Sequence, residues 1–121
     1  MSTLSKKIDF AILISVENAN PNGDPLCGNR PREDYDGYGE ISDVCLKRKI
    51  RNRLIDMNES VFVQSNDHRV DSYKSLKTRA EGCEELKKAS NGKDTDQDEF
   101  ARIACEQWMD VRSFGQVFAF K

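Results

Sequence analysis

The clearest pattern in the chain is the alternation from Lys7 to Glu17, where apolar Ile8, Phe10, Ile12, Ile14 and Val16 are interleaved with Asp9, Ala11, Leu13, Ser15 and Glu17. A period of two puts every second side chain on one face. The stretch therefore predicts a strand, Ile8–Val16, with one face buried and the other lighter or wet. Further on, Leu46, Ile50, Leu54 and Met57 recur at helical spacing. This predicts a helix capped by Ser42, with Asp43 complementing the helix dipole in the first turn. Glu59–Gln64 is short and β-prone and reads as a second strand, centred on Val61–Gln64. Two more helices are expected at Ser72–Ala89 and Thr95–Met109, with a turn at Ser90-Asn91-Gly92 between them. The later helix opens on Asp96, Asp98 and Glu99 and carries Phe100, Ile103, Ala104 and Trp108 on one side. From Asp110 to Lys121 the chain turns apolar again and reads as the entry to another strand or loop, the end of a fold that has been cut.

Between the first strand and the first helix lie 24 residues, Asn18 to Ile41, holding all three prolines, four of the seven glycines and four asparagines. No regular element is expected there. Connections in compact domains are usually about 4–6 residues, and much longer ones tend to be functional or disordered. Asn20-Pro21-Asn22-Gly23 reads as a β-turn with Pro at its second position. Arg30, Arg32, Tyr35 and Tyr38 add cations and rings on which bases could stack, which a solvated spacer does not need.

Charge sharpens this picture. The 121 residues are about one domain, 37% hydrophobic and 33% charged, with a formal net charge of -2. Five of the seven residues from Lys47 to Arg53 are nevertheless cationic. On a helix, Lys47, Arg48 and Arg51 group on one side near Val44 and Ile55, whereas Lys49 and Arg53 fall on the other flank of the apolar stripe. Acidic residues are absent from Lys47 to Ile55, so the charge lacing of an ordinary exposed helix cannot form within it. A cationic helix fed by a turn-rich loop with free backbone N–H groups is suited to the phosphates of RNA or DNA.

Other chemistries find less support. The four cysteines, Cys27, Cys45, Cys83 and Cys105, are scattered without a C-x-x-C pair, which predicts free thiols rather than a zinc ribbon or a disulfide framework. His68, the only histidine, sits among Asn66, Asp67 and Asp71 in what reads as a turn, without an evident partner for acid–base work. No phosphate-loop, nucleophile-elbow or zinc-protease motif is present, and no cofactor or metal site is expected. The longest apolar run, Phe10–Ile14, is far short of the roughly 20 residues of a membrane span, so a cytoplasmic protein without a membrane partner is expected.

Four stretches, taken together, carry a resemblance. These are N-P-N-G-D-P at Asn20–Pro25, R-P-R at Arg30–Arg32, G-Y-G-E-I-S-D-V-x-L-K-R-K-I-R at Gly37–Arg51 and W-x-D-V-R-x-F-G at Trp108–Gly115. In order and spacing they resemble the backbone subunit of the type I-C CRISPR Cascade complex, of the RAMP superfamily. The resemblance spans nearly the whole chain but only the N-terminal part, less than half, of a typical family member.

The resemblance implies an α+β fold, a modified RRM or ferredoxin-like palm with a helical finger insertion, here without the rest of its sheet and its thumb. Residues 1–64 would supply the strand, guide-binding loop, basic helix and second strand, and 65–121 the helical insertion. It further implies copies of the chain stacked along a crRNA guide beside other Cascade subunits, gripping the guide's backbone while most bases pair with a target DNA strand. Carried over residue by residue, Asn20, Asn22 and Gly23 of the turn and Ser42, Lys47, Arg48 and Arg51 of the helix match the family's RNA-binding loop and helix, and Arg30 and Arg32 lie in the same loop. Such a subunit is not an enzyme. The alternative is a metal-dependent RNA endonuclease of the same superfamily using a loop aspartate, for which Asp24 and Asp34 are placed; a separately made fragment with its own role is a third reading.

Overall fold

The computed structural model describes residues 9–90 and 96–119. The chain divides into two compact units, Met1–Ser42 and Asp43–Lys121. The first is a small ribbon and the second is helical, so helices and a small sheet occur together, consistent with an α+β class.

In the ribbon unit the expected strand does not form. Residues 9–16 carry no regular element, and Phe10, Ile12, Ile14 and Val16 are all exposed; Ile8 lies outside the described residues. Alternation sets which side chains share a face, but a strand also needs a neighbour to take its backbone hydrogen bonds, and none of the described residues does so. The only sheet among the described residues lies instead inside the loop where no regular element was expected. Strand β1 (Gly23–Asp24) pairs antiparallel with β2 (Arg30–Pro31) in the register Gly23 opposite Pro31 and Asp24 opposite Arg30. A single 3-10 turn, Pro25–Cys27, joins them, with the Asp24 Oδ1 accepting from the Leu26 N–H at 3.0 Å. Gly28 (φ 66°) and Asn29 (φ 58°) then take the left-handed conformations that close it. A second, smaller loop follows, bridged at Glu33 and Gly39.

The helical unit opens with α1 (Asp43–Asp56), which ends where Asn58 turns left-handed at φ 61° and the Glu59 N–H closes back on the Leu54 carbonyl at 2.9 Å. Of its apolar residues Ile55 is the buried one, while Leu46, Ile50 and Leu54 are half-buried and Met57 is exposed. The face that packs is thus centred on Ile55 rather than on the expected stripe. That places the Lys47, Arg48 and Arg51 side toward the unit's own interior.

The segment from Val61 to Gln64 is not a strand. Val61 and Phe62 are fully buried, but in irregular backbone whose polar groups are met by side chains instead of a neighbouring strand. The single helix expected at Ser72–Ala89 is two, α2 (Leu76–Glu81) and α3 (Glu84–Ser90). Ser75 and Thr78 form a reciprocal capping box that delays the start to Leu76. Gly82, whose missing Cβ leaves room for the Tyr73 ring, marks the break. Helix α4 (Gln97–Gln107) is capped by Asp96, which accepts from the Asp98 and Glu99 N–H groups. Residues 91–95, including Asn91, Gly92 and Thr95, lie outside the described residues, as do Phe120 and Lys121.

Helix α4 stops because Trp108 is extended (φ -128°, ψ 124°) and the Met109 N–H leaves the helix for the Ser60 carbonyl at 2.8 Å. The apolar end then forms a fifth helix, α5 (Met109–Phe114), closed by Gly115 at φ 74°, in place of the strand entry expected there. The core gathers Phe62, Ala80, Leu86, Ile103, Ala104, Trp108 and Val111. The rings of Phe62, Trp108, Phe100 and Phe118 meet there at tilted and edge-on angles, with Phe62 and Trp108 ring centres 4.5 Å apart.

Candidate nucleic-acid interface

In the ribbon unit, Asn22 is the organising residue. Its Oδ1 accepts from both the backbone N–H and the hydroxyl of Ser42 at 2.9 Å, while its carbonyl accepts from the Arg32 N–H at 2.8 Å. One asparagine thereby ties the turn to the residue that precedes α1. Asn20 reaches across the ribbon to donate to the Asn29 carbonyl at 2.8 Å, and the Asn29 N–H donates to the Asp24 carbonyl at 2.8 Å. Gly23 is required by close approach: a Cβ there would fall on the Asn29 side-chain amide, 2.7 Å from its Cγ and 3.2 Å from the Asn20 Nδ2.

The two loop arginines differ. Arg32 Nε pairs with Glu40 Oε2 at 2.7 Å, a partner that holds the guanidinium above its usual pKa, and the Glu40 N–H donates to the Arg32 carbonyl. Arg30 is exposed, and its side chain makes no hydrogen bond or ion pair with any described residue. Leu26, Tyr35 and Tyr38 are likewise open to solvent. Asp24 and Asp34, the candidate catalytic aspartates, both serve as turn acceptors: Asp24 for Leu26, and Asp34 Oδ1 for the Asp36 and Tyr38 N–H groups at 3.0 and 2.9 Å. Among the described residues no group of three or more His, Cys, Asp or Glu side chains converges as a metal site would require.

In the helical unit, the three cations expected to converge on a ligand do share one side of α1, and each has a partner there. Lys47 pairs with Asp43 at 2.9 Å and lies over the Phe114 ring. Arg48 Nη1 donates to the Val63 carbonyl at 2.9 Å, and burial lowers its pKa. Arg51 Nε donates to Asp110 Oδ2 at 2.9 Å, with its side chain only 13% exposed, and its guanidinium also covers Phe114.

Asp110 is the residue that sequence reasoning missed. It is 1% exposed and accepts, besides Arg51, the N–H groups of Phe62 at 2.7 Å and Val63 at 3.0 Å. The other side of Phe62 is met by Arg79, buried at 5%, whose Nη1 donates to the Phe62 carbonyl at 2.8 Å while Nε and Nη2 clamp Asp71 at 2.7 and 2.8 Å. The guanidinium lowers the pKa of Asp71. A buried irregular segment thus has its amides and carbonyls satisfied by one carboxylate and two arginines. A partial signal was present in the sequence: an Asp set among the apolar Trp108, Met109 and Val111 needs a partner once those neighbours are buried.

His68 also has a partner. Its Nε2 lies 2.9 Å from Asp56 Oδ1 at the end of α1. None of the four cysteines is in a disulfide, and a neighbouring Asp24 raises the pKa of the exposed Cys27. Among the described residues no helix is long and apolar enough to cross a membrane.

Comparison with known proteins names the family of this chain. The chain belongs to the CRISPR-associated protein Cas7 family, whose model matches residues 6–121. It is similar to a CRISPR-associated protein Cas7 of Haloferax volcanii, with 31% identity over 127 aligned residues. That alignment takes in 100% of this chain and 34% of the relative, so the chain spans about a third of the length of the curated relative it matches.

Proposed function

We propose that this chain is the guide-gripping portion of a non-catalytic backbone subunit of a CRISPR Cascade complex of type I-C. The ribbon, with Asn20, Asn22, Gly23, Arg30, Arg32 and Ser42, and the basic helix α1 run along the phosphates of a crRNA guide and leave its bases free to pair with target DNA. Copies of the subunit stack along the guide beside other Cascade subunits. The observation that carries this reading is the family match over residues 6–121, which includes both the asparagine-pinned ribbon and the cationic helix. The four quoted motifs support the type I-C assignment.

In this reading the two units belong to an RRM-like palm with a helical finger insertion. The exposed alternating residues Phe10, Ile12, Ile14 and Val16 are the face on which further strands of the palm pack. Large apolar side chains left together in water are otherwise a liability.

The test is to purify the protein from cells carrying a CRISPR array and measure the ratio of absorbance at 260 and 280 nm before and after ribonuclease. The expected result is bound RNA of guide length that ribonuclease removes. Protein free of RNA, whether purified alone or with its complex, overturns the proposal.

A further inference from the structure

We infer that a basic cleft in the helical unit, lined by Asn66, Arg69, Tyr73, Lys74 and Arg79 among others, binds a small dianionic oxyanion, inorganic phosphate or the phosphate group of a monoester. No residue of α1 or of the ribbon lines it, so the site stands apart from the guide-binding reading. Two guanidinium groups meet there on one neutral acceptor: the Tyr73 carbonyl takes Arg69 Nη1 at 3.2 Å and Arg79 Nη2 at 3.4 Å. Like charges brought this close repel, and an anion between them relieves it.

Against three cations, Arg69, Lys74 and Arg79, the cluster holds one carboxylate, Asp71, and that is clamped by Arg79 through Nε and Nη2 at 2.7 and 2.8 Å. Lys74 is exposed and makes no hydrogen bond or ion pair with a described residue, and the Arg69 guanidinium hydrogen-bonds to none of them except Tyr73. Two positive charges are left without a counter-ion. The exposed Asn66 side chain, also without a hydrogen bond to a described residue, adds a neutral donor. A phosphate monoester carries close to two negative charges at neutral pH and three accepting oxygens, so it matches both the charge and the donors. A linking phosphate of a nucleic acid carries one charge and continues into sugar on both sides. At about 130 Å³ the cleft is well below the roughly 300–1,000 Å³ of pockets that enclose drug-sized ligands, so it admits a phosphate group and little beyond it.

The experiment is isothermal titration of the full chain with inorganic phosphate, chloride holding the ionic strength constant, repeated in the presence of single-stranded RNA with 5′-hydroxyl ends. One saturable site is expected, with the same affinity with and without RNA. In Arg69→Gln/Lys74→Gln the affinity should fall by about tenfold or more, as expected for losing charged donors to an anion. Lys74→Glu breaks no bond of the fold and should do the same by reversing one charge, which keeps the test decisive if the double variant folds poorly. Lys88→Gln, an exposed lysine of α3 outside the cleft, should bind phosphate as the parent does. The inference is overturned if the parent shows no saturable phosphate binding, if Lys74→Glu keeps the parental affinity, or if Lys88→Gln loses as much. Competition by the RNA would overturn it too, since the cleft would then belong to a nucleic-acid path.

Discussion

The two units keep irregular backbone in place by opposite means. In the ribbon unit, loop backbone is pinned by neutral asparagines and turn aspartates at a surface where none of the described residues is fully buried. In the helical unit, Val61 and Phe62 are fully buried in equally irregular backbone, and the pinning groups are ions: Asp110, Arg51, Arg79 and Asp71. The difference follows from solvent. At a surface, water competes for each hydrogen bond and also stands in when one breaks, so each is worth about 0.5–1.5 kcal/mol. In the interior no substitute is at hand, and charge-assisted bonds to a satisfied network hold far more firmly, at the risk of a large cost if one member is lost. The ribbon's bonds can therefore be exchanged for water one at a time, whereas those of the Phe62–Val63 segment cannot.

Asp110→Ala gives the largest expected effect, because it leaves the Arg51 guanidinium, the buried Phe62 N–H and the half-buried Val63 N–H without their acceptor. A destabilisation of about 3–5 kcal/mol is expected from breaking a buried pair from one side, read from urea unfolding of the chain. Arg51→Ala/Asp110→Ala together should cost less than the sum of the two single changes, since each single change strands the other partner. A loss under about 1 kcal/mol for Asp110→Ala would show that water satisfies these groups, and the contrast between the two units would collapse.

Parts of this were legible in the sequence and parts were not, for reasons tied to particular residues. The helix at Asp43–Asp56 and the one at Gln97–Gln107 have long periodic patterns and clear acidic starts, and both form close to the expected boundaries. The strand expected at Ile8–Val16 fails because alternation describes a face and not a partner. The expected strand at Val61–Gln64 fails for a related reason: β-branched and aromatic residues report burial, and here Asp110 and Arg79 supply the hydrogen bonds that a neighbouring strand would have given. Conversely, the paired residues Gly23–Asp24 and Arg30–Pro31 were invisible, since two-residue strands have no period to detect. The basic helix was found, but its orientation was not: the apolar count favoured Leu46, Ile50 and Leu54, whereas Ile55 marks the buried side. A charge run tells where cations are concentrated and is silent about which of them face inward.

A smaller effect is expected in the ribbon from Gly23→Val. The added side chain would displace the Asn29 amide and disturb the Asn20 bond to the Asn29 carbonyl, at a cost of about 1–3 kcal/mol typical of a forced close contact. Because the ribbon is a compact unit of its own, circular dichroism of the helices and their unfolding midpoint should stay at parental values while RNA affinity falls. A parallel loss of helix signal would mean that the ribbon is not separable in this way. Unchanged affinity in a folded variant would reduce the loop to a spacer.

The smallest effect is expected at His68, and its smallness is informative. Its pair with Asp56 is at the surface, with side chains 38% and 47% exposed, and such pairs are worth about 0–1 kcal/mol. The imidazole lies beside Asp56, the last residue of α1. Its position is thus explained by packing the turn at Asn66–His68 against the helix end. An endonuclease that used this imidazole as acid or base would lose about 100-fold or more in rate on His68→Ala. A scaffold should lose at most a few degrees in midpoint and nothing in RNA binding. Incubating parent and variant with labelled RNA, with and without magnesium or manganese, separates the two. Cleavage by the parent that disappears in His68→Ala would reverse the comparison, placing chemistry in the helical unit; intact RNA with both proteins and equal salt slopes of binding would leave His68 in a structural role, beside the buried pairs of Asp110 and Arg79.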